Sequence, residues 1–409
     1  MKHPAEQRSI SNWVGLLLIV LIGLNLRPFL VAPGPILNTI MQDLSMSAYS
    51  ASLLTLLPMF LMGMGAFIAP VILSRYGTRP AVLSALTAIL TGCAFRFTVT
   101  TEVTFLLTAV LCGAGVALIQ SAMPGQIKAT FPKHIALATG LYSACLMVGG
   151  ALGAYGMPHL MQIGLNWRQS LAMLAVLALV AVLFCLRFLV AAASKKQDGN
   201  LVKALLCRPR TWTLMFAFGL VNSGYSTLVA WLAPYYQSLG WRQPDSASLV
   251  VVLSVCQAIS AVGLPVLARR SQDRRPWLFL TVVFQAVGFY GLAAWPEMSP
   301  MFWVGICGAG LGGSFALVIV TALDHLESAE SSGTLAALMQ GGGFMIAAVS
   351  PWLIAVLQDL TASYEAGWLM HLGFVVITGA LYLRLNPRLY REVMGEAGFV
   401  AKRQRIPHG

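Results

Sequence analysis

The chain has 409 residues, of which 58% are hydrophobic and 10% charged, with a formal net charge of +12. A water-facing surface needs roughly 25% charged residues, so a soluble globular domain is excluded. Lipid is the solvent that suits helices apolar on every side. The positive charge is scattered through short connections between apolar runs, which points to one face of a membrane protein and away from nucleic acid.

A spanning helix needs about 20 apolar residues. Twelve such runs follow one another, at about 13–37, 48–72, 80–98, 103–124, 136–160, 169–190, 210–236, 246–268, 276–295, 301–324, 332–357 and 367–385. The first run is too long for a cleavable signal-peptide core and lacks a small-residue cleavage site, so it is expected to remain as helix one. The longest polar stretch, from Ala193 to Arg210, separates six helices from six. The expected architecture is an all-α membrane protein of two pseudo-symmetric six-helix bundles, 1–192 and 210–388. A linker at 193–209 joins them and a tail at 389–409 follows.

Lys and Arg placement sets the orientation. With both termini in the cytoplasm, the inner segments hold Lys2, Arg8, Arg75, Arg79, Lys128, Lys133, Arg187, Lys195, Lys196, Lys203, Arg208, Arg210, Arg269, Arg270, Arg274, Arg275 and the basic tail from Arg384. The outer ends hold Arg96, Arg168 and Arg242, and Arg27 falls within the membrane. Arg96 is read as a snorkelling interface residue. Six of the seven cysteines lie in apolar runs without metal-ligand spacing and read as small buried hydrophobes.

The halves echo each other. Ser50-Ala51-Ser52-Leu53 opens helix two and Ser246-Ala247-Ser248-Leu249 opens helix eight. Gly23-Leu24-Asn25 is matched by Gly219-Leu220-Val221-Asn222, Gly113-Ala114-Gly115 by Gly308-Ala309-Gly310, and Gly149-Gly150 by Gly341-Gly342-Gly343. Four matches in one order indicate a six-helix repeat, which is a transporter architecture.

Arg27, in Leu24-Asn25-Leu26-Arg27-Pro28, is the sharpest functional signal. A cation at the membrane centre costs at least ~2.5–3.5 kcal/mol, so it is expected to face a polar cavity. The acidic residues of the sequence fall in loops, tails and helix ends. A guanidinium at mid-depth therefore suggests an anionic or strongly hydrogen-bond-accepting substrate. The rival reading is structural: Pro28 frees a carbonyl one turn back that could satisfy the arginine. Asn25, Gln120, Tyr142, Asn222, Tyr225, Trp231 and Gln340 are the accompanying candidates for substrate contact, with interhelical hydrogen bonding as the alternative for each. Asp324 and His325 at the end of helix ten read as a water-exposed ion pair with a loop arginine, against a proton relay. His371 reads as packing or interfacial. No phosphate-binding G-x-x-x-x-G-K-[ST] loop occurs, which excludes ATP-driven pumping. No nucleophile, metal cluster or acid–base pair suggests an enzyme. No cofactor or metal is expected; the partners are a small molecule and the bilayer, and the chain is expected to be a monomer.

The loop Leu73-Ser74-Arg75-Tyr76-Gly77-Thr78-Arg79-Pro80 resembles the G-x-L-x-D-R-x-G-R-K signature of the major facilitator superfamily. Arg75, Gly77 and Arg79 fit; Ser74 replaces the signature's Asp and Pro70 its first Gly. The equivalent loop at 268–275 keeps charge and loses the pattern. Nearly the whole chain is similar to the cyanate permease branch, which includes 2-nitroimidazole transporters. Ile22 to Pro28, Ile119 to Pro124, Gly219 to Tyr225, Ala230 to Leu232, Ala322 to His325 and Met339 to Gly341 carry this likeness. The resemblance implies the twelve-helix fold, rocker-switch transport across a bacterial inner membrane and a small nitrogen-containing substrate. Cyanate is the first candidate, with Arg27 its counter-charge. A neutral planar heterocycle such as 2-nitroimidazole is the alternative, stacked on Tyr142, Tyr225 and Trp231. Arg75, Gly77, Arg79 and Asp324 are the expected gating residues.

Overall fold

The computed structural model describes residues 12–131, 135–190 and 199–395. Lys2, Arg8, Lys133, Lys195, Lys196 and the tail beyond Gly395, all used to orient the chain, lie outside the described residues. Every regular element among the described residues is helical. Among the described residues twelve helices are long and apolar enough to cross a membrane: Trp13–Leu44, Ala48–Tyr76, Thr78–Thr98, Glu102–Ile127, Ala138–Gln162, Trp167–Phe188, Pro209–Ser238, Gln243–Arg270, Arg275–Ala294, Pro300–Asp324, Ser331–Thr361 and Glu365–Leu383. They are numbered here in that order. Several begin at side-chain caps: Ser47 accepts from the Ser50 N–H, and Thr101 with Thr104 and Asn166 with Gln169 form capping boxes. These caps let the chain reverse within a few residues, as the short polar gaps predict.

The chain divides into two compact units. One comprises Met1–Gln197 with Tyr236–Val251; the other comprises Asp198–Tyr235 with Val252–Gly409. Within the first unit, Gln237 donates to the Pro35 carbonyl at 2.6 Å and to Ser246 Oγ at 3.0 Å, and accepts from Asn38 at 3.0 Å. Gln243 donates to Thr39 Oγ1 at 2.8 Å.

Each unit repeats the same internal close contacts. In the first, Gly92 packs on Cys112, Gly113 on the Pro58 backbone and Gly115 on the Ala85 carbonyl. In the second, Gly288 packs on Cys307, Gly308 on the Leu253 backbone and Gly310 on the Thr281 carbonyl. Gly23 meets Cys145 and the Tyr142 backbone in helix five, and Gly219 meets Ile346 and the Gly343 carbonyl in helix eleven. An added Cβ at these positions would come within 3 Å of a neighbouring atom, so the glycines set the helix separation.

Two helices are broken where prolines fall. Helix one runs as Asn12–Asn25, Pro28–Val31, a 3-10 turn Gly34–Ile36 and Leu37–Leu44. Helix eleven divides into Ala329–Ala348 and Ser350–Thr361. Each proline removes the N–H that would bond the carbonyl four residues back. Pro351 thereby frees the Ala347 carbonyl, which accepts from Ser226 Oγ of helix seven at 2.9 Å. Pro33 frees the Phe29 carbonyl, which accepts from Arg96 Nη2 of helix three at 3.1 Å.

Candidate substrate site

Arg27 begins the short Pro28–Val31 segment and is 3% exposed. Helix five runs along this break. Gly149 lies against the Leu24 carbonyl, Gly150 beside Arg27 Cβ and Val31, and Gly153 against the Pro28 backbone. The absence of side chains at these three positions lets helix five approach closely enough to bring Tyr142 into the field of the Arg27 guanidinium. The Tyr142 hydroxyl is buried and has no hydrogen-bond partner. A phenol in this condition is a donor and acceptor in waiting, because a buried polar group ordinarily finds a partner. Arg27 and Tyr142 are thus the two sequence candidates that the first unit brings together.

Asn25 is turned elsewhere. Its amide donates to the Leu21 carbonyl at 2.7 Å and to the Leu177 carbonyl of helix six at 3.4 Å. It lines a small void with Pro28, Phe29, Ile89, Cys93, Leu174 and Leu177. Gln120 is half-buried on helix four. Its neighbour Ser121 donates to the carbonyls of Gly65 and Ala117, tying helix four to helix two.

The remaining candidates belong to the second unit. Asn222 and Tyr225 are buried on helix seven, and the Asn222 amide donates to the Phe218 carbonyl at 2.8 Å. Trp231 is 1% exposed; its indole N–H donates to the Pro351 carbonyl at 2.9 Å and its ring packs on Tyr364. This indole is built into the contact between helices seven and eleven. Gln340 is half-buried and donates weakly to the Ala336 carbonyl at 3.4 Å.

Two further buried residues stand outside the candidate list. Arg96 has no exposed surface, which overturns its reading as a snorkelling interface residue. Besides Phe29 it reaches Thr108 Oγ1 at 3.4 Å, and its guanidinium lies 5.4 Å from the Phe105 ring centre; Nη1 has no partner. The signal for it was Pro33, four residues after Phe29. His371 is buried rather than interfacial: its Nε2 lies 2.9 Å from Thr227 Oγ1 and 3.2 Å from Ser350 Oγ, and its ring stacks on Phe289.

The loop after helix two explains its glycine. Gly77 has φ 83° and ψ 163°, a region essentially reserved for glycine. Its N–H closes helix two on the Leu73 carbonyl. Arg79 donates to the Leu186 carbonyl at the end of helix six at 2.8 Å, a favourable place for a cation. Arg75 is exposed and lies over Tyr76. The loop after helix eight has lost the sequence pattern but keeps ion pairs. Arg274 joins the Ala268 carbonyl at 2.7 Å to Asp324 at 3.0 Å, the latter 40% exposed. Arg275 holds Asp273 at 2.7 Å and keeps that carboxyl below its usual range. His325 is buried, with Nδ1 2.7 Å from the Thr321 carbonyl and its ring stacked on Tyr390. Burial pushes the imidazole down to about 4, and Arg210 adds to the effect.

Acidic residues stand at the ends of the described helices: Asp43, Glu102, Asp245, Asp324, Asp359 and Glu365. Among the described residues no group of three or more His, Cys, Asp and Glu side chains could hold a metal ion.

The model of the Major Facilitator Superfamily matches residues 16–351. Over 375 residues the chain is 40% identical to the cyanate transport protein CynX of Escherichia coli (strain K12), covering 91% of this chain and 97% of that protein. It is 27% identical to the 2-nitroimidazole transporter of the same organism, covering 85% and 88%. In fold it is similar to a bacterial homolog of the human lysosomal transporter Spinster, with a TM-score of 0.75 at 16% identity, covering 96% of this chain and 99% of that one. The chain is a multi-pass membrane transporter rather than an enzyme, and it belongs to the major facilitator superfamily.

Proposed function

We propose that this chain carries a small anion, with cyanate the first candidate, by alternating access, and that Arg27 is the cation that meets it. The observation that carries the reading is a guanidinium buried at the break of helix one, within electrostatic reach of a buried phenol hydroxyl that has no hydrogen-bond partner. A planar guanidinium fork and a phenol O–H suit a small linear or planar anion with acceptors at its ends. The 40% identity to a protein named for cyanate transport supports the substrate class. The basic loops support a bacterial inner membrane with both termini in the cytoplasm, and the reading is of a monomer.

A neutral planar nitrogen heterocycle is the second reading. The 27% identical 2-nitroimidazole transporter favours it, as does an aromatic side chain, Tyr142, within electrostatic reach of Arg27. Trp231 contributes less to this reading than its sequence position suggests, because its N–H is already bonded to Pro351.

Uptake of labelled cyanate into proteoliposomes tests both. Saturable uptake is expected from the native chain, none from Arg27→Ala, and partial uptake from Arg27→Lys, which keeps the charge and loses the fork. Wild-type uptake by Arg27→Ala would remove Arg27 from the site. No cyanate uptake by folded protein would favour the heterocycle, measured next by direct binding.

A further inference from the structure

Helix one takes a hydrogen-bond donor from another helix at the Phe29 carbonyl. The backbone from Pro28 to Pro33 is wound as helix. The Ala32 N–H donates to the Pro28 carbonyl at 2.8 Å, Ala32 sits at φ −57°, ψ −36° and Pro33 at φ −65°, ψ −31°. The next rung would run from residue 33 to the Phe29 carbonyl, and proline has no N–H to give. Arg96 of helix three fills that position with Nη2 at 3.1 Å. This is an unusual use of a fully buried arginine, since hydration is lost unless strong bonds replace it. Phe29 lies two residues from Arg27, and the Arg27 carbonyl itself accepts the N–H groups of Leu30 and Val31 at 3.1 Å. Holding the Phe29 carbonyl therefore holds the turn from which Arg27 projects.

We propose that Arg96 is a positioning residue for Arg27: it closes the hydrogen-bond gap that Pro33 opens in helix one and fixes the turn that carries the substrate-binding guanidinium. This role rests on the reading that Arg27 meets the substrate.

The test pairs Arg96→Met with Pro33→Ala in the full-length carrier. Alanine at 33 supplies an N–H where the backbone is already helical, so it restores the missing rung from within. Arg96→Met is expected to raise the KM for cyanate uptake by about tenfold or more, the scale of a hydrogen bond to a charged group. Adding Pro33→Ala is expected to return KM towards the native value, an outcome that mere loss of packing around Arg96 does not give. A native KM in Arg96→Met, or a double variant as impaired as the single one, would overturn the proposal. If Arg96→Met fails to fold, a double variant that folds and transports supports the cap, and one that fails while Pro33→Ala alone folds overturns it. Impaired uptake in Arg27→Ala beside native uptake in Arg96→Met would overturn the positioning role alone; native uptake in Arg27→Ala would overturn the substrate reading and this role with it. Unfolding temperatures of the four proteins need no substrate, and strictly additive effects would overturn the cap itself.

Discussion

Gly149→Ala asks how much of the site depends on one missing methyl group. A Cβ at position 149 would stand 2.5 Å from the Leu24 carbonyl oxygen, 3.0 Å from its carbon and 3.1 Å from Leu24 Cα. An ordinary C···O contact is about 3.3 Å or longer, so helices one and five must separate by about 0.8 Å or tilt. All three neighbours are backbone atoms, and no rotamer change relieves them. Overpacking of this kind costs about 1–3 kcal/mol, against which the better helix propensity of alanine returns up to about 1 kcal/mol. Gly156 lies on the same helix with nothing near its Cβ position and supplies the control. Gly156→Ala is expected to unfold at or above the native temperature and Gly149→Ala well below it. The separation of helix five from helix one also withdraws Tyr142 from Arg27, so uptake by Gly149→Ala is expected to fall by about tenfold or more, since displacements near 1 Å are costly at reacting or binding groups. Equal unfolding temperatures and equal uptake in the two variants would refute the reasoning, because the steric difference between the sites would then have no energetic weight.

Two further outcomes follow from the loops. Gly77→Ala has open space around it but forces alanine into φ 83°, ψ 163°; a loss of about 1–3 kcal/mol is expected, read by thermal unfolding, and Gly125→Ala, also in open space but within a helix, serves as its control. His325, held near 4 by burial against an ordinary value of 6.5, binds its proton more readily in the unfolded chain. Its contribution is complete above about pH 6.5 and is lost as pH falls towards 4, by about 3 kcal/mol at most. His325→Phe keeps the stack on Tyr390 and is expected to flatten the decline of unfolding temperature between pH 7 and 4.5; an unchanged slope would show that other groups control it.

The twelve helices were legible because lipid imposes a length and an apolar composition that few other environments tolerate. The repeat was legible because its glycines sit where helices touch: Gly115 on the Ala85 carbonyl is matched by Gly310 on the Thr281 carbonyl. Arg27 was visible from depth alone. Which way a neighbour faces was not, because helices apolar on all sides give no periodic signal. Asn25, two residues from Arg27, turns to helix six, and Trp231 is bonded to the bend of helix eleven. Arg96 was placed by distance along the sequence, which put it near the surface. Its burial depends on an orphaned carbonyl in another helix, and that becomes apparent only when Pro33 is read together with Phe29.

The placing of the acidic residues in loops, tails and helix ends leaves the charge of a carried anion to act alone. Moving one elementary charge through a membrane potential of 100 mV involves about 2.3 kcal/mol. A carrier that admits a lone monovalent anion into an inside-negative cell therefore reaches equilibrium with the anion about fiftyfold scarcer inside at that potential. A carrier that moves the anion with no compensating charge favours outward flow. Inward flow then needs one anion exchanged for another, or an interior that consumes the anion as it arrives.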